Sequence, residues 1–177
     1  MKKVFFTSDT HFGSRRTLEL SKRPFGSTID MDTAIVRNWN LIVGKQDEVY
    51  HLGDFGNYEM ASSLNGTINL LLGNYERKDI EDKAVTIDAL KNKYNFNVIE
   101  DSVEKVFNDI EMYLIHEPEK HNKDKFNLFG HIHGRQVIKR YGLDVGIDAH
   151  HFYPIDLDTV LFYKTAIEKF YDNNVFE

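Results

Sequence analysis

The run Phe126-Asn127-Leu128-Phe129 leads into Gly130-His131-Ile132-His133-Gly134, where two imidazoles stand one residue apart between two glycines. If the extended geometry of the run carries through His131-Ile132-His133, alternation puts both rings on one side and Ile132 on the other. Two neutral imidazoles facing one way at a strand end suit a transition metal, and on this stretch alone a polar turn explains them equally well. Other stretches of the same kind break the tie. Val4-Phe5-Phe6-Thr7 runs into Ser8-Asp9-Thr10-His11, a carboxylate and an imidazole two residues apart that can chelate one cation. Glu48-Val49-Tyr50-His51-Leu52 runs into Gly53-Asp54, Ile68-Asn69-Leu70-Leu71-Leu72 into Gly73-Asn74, and Ile110-Glu111-Met112-Tyr113-Leu114-Ile115 into His116. Taken singly, Asp9 reads as a helix cap, His11 as a surface residue and Asp54 as a turn aspartate. His51 lies inside its strand and is expected to be a hydrogen-bonded interior residue, not a ligand.

Composition narrows what these residues can do. The chain has 177 residues and reads as one domain over 1–177, with 41% hydrophobic and 28% charged residues, ordinary proportions for a soluble globular protein. It has no cysteine, which removes disulfides, thiolate zinc sites and a cysteine nucleophile, and fits a cytoplasmic location. A metal would then be held by His, Asp, Asn or Glu, a set suited to Mn, Fe, Zn or Ni. The opening Met1-Lys2-Lys3-Val4-Phe5-Phe6 is basic then apolar, but Thr7-Ser8-Asp9 ends the apolar run too early for a signal peptide, and no run approaches bilayer length. The net charge of −6 argues against broad duplex DNA binding. Local basic clusters stand out against it: Arg15-Arg16, Lys22-Arg23, and Arg135 with Lys139-Arg140.

The elements that must position these side chains follow from periodicity. Between the apolar runs lie helical patterns: about Asp30 to Ile42, with Asp30 as N-cap and Gly44 as C-cap; about Tyr58 to Leu64; and about Ile80 to Tyr94. Met31 and Trp39 read as core residues. Val103 to Ile115 reads as a hairpin turned at Asn108-Asp109. Tyr141 to Asp148 reads as a glycine-broken strand, and about Asp158 to Tyr171 as a closing helix. Asp9/His11, Asp54, Asn74, His116 and His131/His133 therefore each sit just past a strand. In α/β layers, strand ends that face one way gather their loops into a single crevice, and a pair of cations is the simplest thing that could hold these seven groups together.

Asp-x-His, Gly-Asp, Gly-Asn-x-Glu, His and Gly-His-x-His, in this order from Asp9 to about Asp148, resemble the calcineurin-like metallophosphoesterase family. Arg23-Pro24-Phe25, Asn38-Trp39-Asn40 and Val145-Gly146-Ile147-Asp148 resemble its short bacterial and phage-type members. The resemblance implies an α/β fold, a four-layer α/β/β/α sandwich with a dinuclear site at one rim of its two sheets. It implies that Asp9, His11 and His133 hold one divalent ion and Asn74, His116 and His131 the other, with Asp54 bridging. It also implies phosphoester hydrolysis by a hydroxide shared between the ions, manganese being favoured over Fe, Zn or Ni. The catalytic set so implied is Asp54, Asn74, Tyr75 and His116. Arg15, Arg16 and Arg135, which follow ligand motifs directly, are candidates for binding a second phosphate or a nucleotide tail.

Two positions depart from the family pattern. Tyr75 stands where a histidine is usual, and a phenol is a weaker acid than an imidazolium, so general-acid help to the leaving group is what the change touches. That points to substrates with good leaving groups, such as activated or cyclic phosphodiesters. Ser14 replaces a further histidine, and Glu117 after His116 has no account from the sequence. The expectation is a phosphoesterase acting on a small phosphoester, nucleotide-type diesters favoured. A phosphomonoesterase or small nuclease, with nucleic acid the less favoured partner, and a non-catalytic interaction scaffold are the alternatives; a scaffold tends to lose ligands, and here all seven positions are filled.

Overall fold

The structure, a computed structural model, describes residues 2–99 and 101–172. The chain runs through β1 (Val4–Thr7), α1 (Arg15–Leu20), α2 (Thr28–Ile42), β2 (Glu48–His51), β3 (Thr67–Leu71), α3 (Asn74–Glu81) and α4 (Ile87–Asn92). It continues with β4 (Asn97–Ile99), β5 (Val103–Phe107), β6 (Ile110–Leu114), β7 (Phe126–Phe129), β8 (Ile138–Lys139), β9 (Gly142–Asp144), β10 (Ile155–Asp156) and α5 (Leu157–Phe170). Two five-stranded sheets form, ordered β10-β1-β2-β3-β4 and β5-β6-β7-β9-β8. Strands β1 to β4 are parallel to one another, as are β6, β7 and β9, while β10 and the two hairpin partners β5 and β8 run antiparallel.

Strands buried on both faces explain the near-continuous apolar runs. Alternate residues feed two cores: Phe5, Val49, Ile68 and Leu70 meet Met31, Ile35, Trp39 and Leu90 under the helices, and Phe6, Tyr50, Leu52 and Leu71 meet Met112, Leu114, Leu128 and Leu143 between the sheets. Helix α5 lies against β9, β10 and β1, with Val160 and Ile167 in the inter-sheet core. The result is the expected mixed α/β sandwich of two sheets with helices.

Several local expectations change. Helix α2 is capped by Ser27, whose hydroxyl accepts from Asp30 N at 3.1 Å and donates to the Asp30 carboxylate, so Asp30 sits inside the first turn; Val43, not Gly44, ends it. The helix expected over 80–94 is two helices. Lys83 takes a left-handed φ of 60° just past α3, Val85 dips into the core, and Thr86 opens α4 by accepting from Ala89 N. The 58–64 pattern is a 3-10 turn over Tyr58–Ser63, and the strand expected over 141–148 keeps only β9 before a second such turn at Ile147–His150. The hairpin turn at Asn108-Asp109 is as expected, both residues having positive φ.

Candidate metal centre

Parallel strands of both sheets end at a common rim, and the loops leaving β1, β2, β3, β6 and β7 are laced together there. Asp9 N donates to Gly53 O and His11 N to Asp54 O, both at 3.0 Å, while Gly130 N donates to His116 O at 3.1 Å. The two sheets are joined by His131 N donating to Asp9 Oδ2 at 2.8 Å, Ile147 N to Ser8 O at 3.0 Å, and His116 Nδ1 to Leu52 O at 2.7 Å. Such close approach requires glycine, as Gly73 and Gly130 illustrate. A Cβ on Gly73 would strike Asp54 Oδ1, and one on Gly130 would strike Ser8 Oγ and Asp9 Oδ2.

Two groups of ligand-type atoms result, each with its atoms within 4.8 Å of one another: Asp9, His11 and His133 in one, Asp54, His116 and His131 in the other. Asp54 faces both groups, Oδ2 lying 3.5 Å from His11 Nε2 and Oδ1 3.5 Å from His116 Nε2. Asn74 Oδ1 lies 3.0 Å from both His116 Nε2 and His131 Nδ1. All seven residues singled out from the sequence therefore meet at one rim. His131 and His133 do so differently from expectation. Strand β7 stops at Phe129, both histidines adopt left-handed φ of 72° and 50°, and each joins a different group. Ile132 N closes onto Gly130 O at 2.9 Å, so the extended geometry does not continue past the strand.

Burial and the neighbouring carboxylates together set the charge states of the rim imidazoles. It pulls the His11 imidazolium down to about 4 against the attraction of Asp9 and Asp54. Burial works against a charged His116 too, but the Asp54 carboxylate and Asp9 behind it outweigh burial and hold this ring up at about 9. His51, fully buried between Thr10 Oγ1 and Gly53 N, is brought down to about 3 and is the neutral interior residue expected.

Behind these seven side chains stand residues whose roles the sequence did not disclose. Glu76 is wholly buried and accepts from Asp54 N and Phe55 N at 2.7 Å and from Gly73 N at 2.8 Å, so one carboxylate ties the β2 and β3 loops together. Arg23 donates through Nε and Nη2 to both oxygens of Asp148 at 2.8 and 2.7 Å, and caps the carbonyls of Asp9 and Thr10. Asp148 in turn accepts from His133 Nδ1 at 2.8 Å, which fixes the ring with Nε2 turned toward Asp9. Tyr75, half-buried, packs edge-on against the His11 ring at 4.8 Å and donates its amide to Asp54 Oδ1. The three substrate-binding arginine candidates are less engaged. Arg15 lies on exposed α1 paired to Glu19, Arg16 is exposed beside it, and Arg135 is exposed on the turn after His133.

The donor set suits divalent cations. Asp9 Oδ1 and both ring nitrogens of His11 are buried without a hydrogen-bond partner among the described residues, a cost a cation would remove. Five of the seven residues, Asp9, His11, Asp54, His131 and His133, hold left-handed backbone, which costs roughly 1–2 kcal/mol each for an L-residue. Stripping divalent metal is therefore expected to lower the melting temperature. Manganese restored at 100 times its dissociation constant should return about 2.7 kcal/mol per site. A melting curve indifferent to chelator and to manganese would contradict metal binding here.

No family model matches the chain. An uncharacterized protein of Methanocaldococcus jannaschii is 27% identical over 179 residues, covering 91% of this chain and 90% of that protein. Among solved structures, the protein of unknown function AQ665 from Aquifex aeolicus superposes with a TM-score of 0.70 at 19% identity, over 92% of this chain and 99% of that one, and so shares the fold. An archaeal phosphodiesterase superposes with a TM-score of 0.42 at 20% identity, over 81% of this chain and 82% of that one. Among the described residues, no helix is long and apolar enough to cross a membrane.

Proposed function

We propose that this chain is a single-domain, dinuclear metal-dependent phosphoesterase, with phosphodiesters of nucleotide type as its favoured substrates. The observation that carries the reading is Asp54, a carboxylate with one oxygen toward His11 of the first ligand group and the other toward His116 of the second. Asp9, His11 and His133 hold one cation in this reading, and Asn74, His116 and His131 the other, with Asp54 shared. Two divalent ions, manganese favoured, would when bound there supply Lewis acidity toward a phosphoryl group and lower the pKa of water.

The chain's own residues do the rest. A carboxylate is the one side chain here with two anionic oxygens to share, which suits Asp54 to the bridge. Asn74 contributes a neutral carbonyl oxygen, so it adds a ligand without adding negative charge. His116, kept in one orientation by Leu52 O, presents Nε2 toward Asp54 and Asn74. His133 is oriented by Asp148 in the same manner. Arg15, Arg16 and Arg135 are the exposed cations available to a second phosphate. Tyr75 sits against His11 in place of a stronger acid, which favours esters whose leaving groups need no proton.

The test is hydrolysis of a paired aryl phosphodiester and aryl phosphomonoester by metal-stripped protein, with manganese added back. Restored turnover with the diester ahead is the expected result. Two bound cations with no turnover of either ester would remove the activity claim. Tyr75→His is expected to narrow the preference for good leaving groups, read as a shallower dependence of rate on leaving-group pKa across a series of aryl diesters. An unchanged slope would separate Tyr75 from the leaving-group step.

A further inference from the structure

Arg77 and Glu117 form an ion pair that no metal ligand takes part in. Arg77 Nη2 lies 3.1 Å from Glu117 Oε2, and Arg77 Nη1 donates to Leu72 O at the end of the β3 strand. Both side chains are more than half buried, at 32% and 15% exposure, and Lys120 closes on Glu117 from the other side. What matters is where the two residues stand. Arg77 lies three positions after Asn74 on α3, and Glu117 directly follows His116 at the end of the β6 strand. The pair thus spans from the first sheet to the second, alongside the gap across which Asn74 Oδ1 and His116 Nε2 face each other at 3.0 Å.

We infer that Arg77 and Glu117 are positioning residues that set the spacing between Asn74 and His116, and thereby the geometry of the second cation site alone. The inference rests on the dinuclear reading above. The first group has a brace of its own, Arg23 with Asp148 on His133, while the His131 amide on Asp9 links the two groups. Helix α3 begins at Asn74, and its Arg77 guanidinium is held by a hydrogen bond to Leu72 O through Nη1 and by an ion-pair contact with Glu117 through Nη2. Without that hold the helix start keeps its ties to the β2 loop through Tyr75 and Glu76 but loses the ion-pair tie to the β6 loop that carries His116. Desolvation offsets much of the attraction in a pair buried to this extent, so the consequence belongs in the metal site more than in the fold. Partners that orient metal ligands typically change affinity by about 10–100-fold when removed.

The test is stepwise titration of metal-stripped full-length protein with Mn2+ by calorimetry, and with Co2+ by visible absorption. Wild type is expected to take up two cations. Arg77→Ala and Glu117→Gln should each weaken one of the two steps about 10-fold, leave the other within about twofold, and alter the Co2+ spectrum of the weakened site. The Arg77→Ala/Glu117→Gln double variant should bind no more weakly than the worse single variant, as expected of residues acting as one unit. Wild-type affinities at both steps in the single variants, with wild type binding two cations, would overturn this inference and leave the dinuclear reading standing. Equal weakening of both steps with a lowered melting temperature would overturn it as well, in favour of a general structural role. A wild-type protein that takes up no cation would remove the dinuclear reading and this inference together.

Discussion

Asp54→Asn is expected to lower metal-dependent hydrolysis by about 10³-fold or more while the fold survives. The asparagine is isosteric, and its carbonyl oxygen can still accept the Tyr75 amide that Oδ1 accepts at 2.9 Å. The backbone bonds of residue 54, its N–H to Glu76 and its carbonyl to His11 N, involve no side-chain atom of that residue. What the substitution removes is one anionic oxygen from a side chain that faces both His11 and His116. Losing one element of a preorganised electrostatic site commonly costs 10²–10³ in rate, and a shared ligand touches both cations at once. The check is steady-state turnover of an aryl phosphodiester at saturating manganese beside circular dichroism of the same sample. Activity within tenfold of wild type would show that Asp54 does not bridge.

The second large effect is on stability, and it belongs to Arg23. Its side chain is fully buried, and its guanidinium serves both oxygens of Asp148 and the carbonyls of Asp9 and Thr10. Arg23→Met would leave two loop carbonyls without their side-chain donor and Asp148 with His133 alone. Breaking a buried pair by removing one partner costs about 3–5 kcal/mol, read here as a lowered urea midpoint. Arg23→Lys should recover little, since one ammonium cannot reproduce the planar fork. A loss below about 1 kcal/mol would show that the rim does not depend on this pair.

The same pair carries a pH signature. Burial disfavours a charged Asp148, but His133 and Arg23 outweigh it and hold its carboxyl down at about 2. A carboxyl whose folded value is depressed contributes stability that is complete above the ordinary carboxylate range, near pH 4, and is lost as pH falls toward 2. Arg23→Met should flatten the acid limb of the stability curve over that interval.

How much of this was legible beforehand depends on how far along the chain a contact reaches. Asp9, His11, Asp54, Asn74, His116, His131 and His133 could be found because each stands directly after an apolar run that packs as a parallel strand, and parallel strands share an exit side. Hairpin and helix periodicities are local as well, so the 108–109 turn and α5 were readable. Arg23 and Asp148 are 125 positions apart, and their pairing is a product of how the two sheets dock. Glu117 made no sense until Arg77 stood opposite it. The separation of His131 from His133 turned on backbone sign: alternation describes a strand, and the chain had already left the strand at Gly130. Likewise the break between α3 and α4 was hidden, because Ile80, Ile87 and Leu90 keep a helical spacing across Lys83, whose left-handed backbone cannot continue a helix.

The seam between the two sheets has a temporal meaning. His131 N finds Asp9 Oδ2 across 122 positions of chain, and each ligand group draws on both sheets. Before the sheets dock, residues near the start of the chain and those past position 115 are remote from one another, and neither half alone offers a complete set. In the dinuclear reading, cation capture would therefore be a late event, following the long-range pairing that dominates the folding time of such topologies. Cations that bind only after this barrier leave the rate of folding nearly untouched and slow the reverse step, so loading would act on how long the native chain persists.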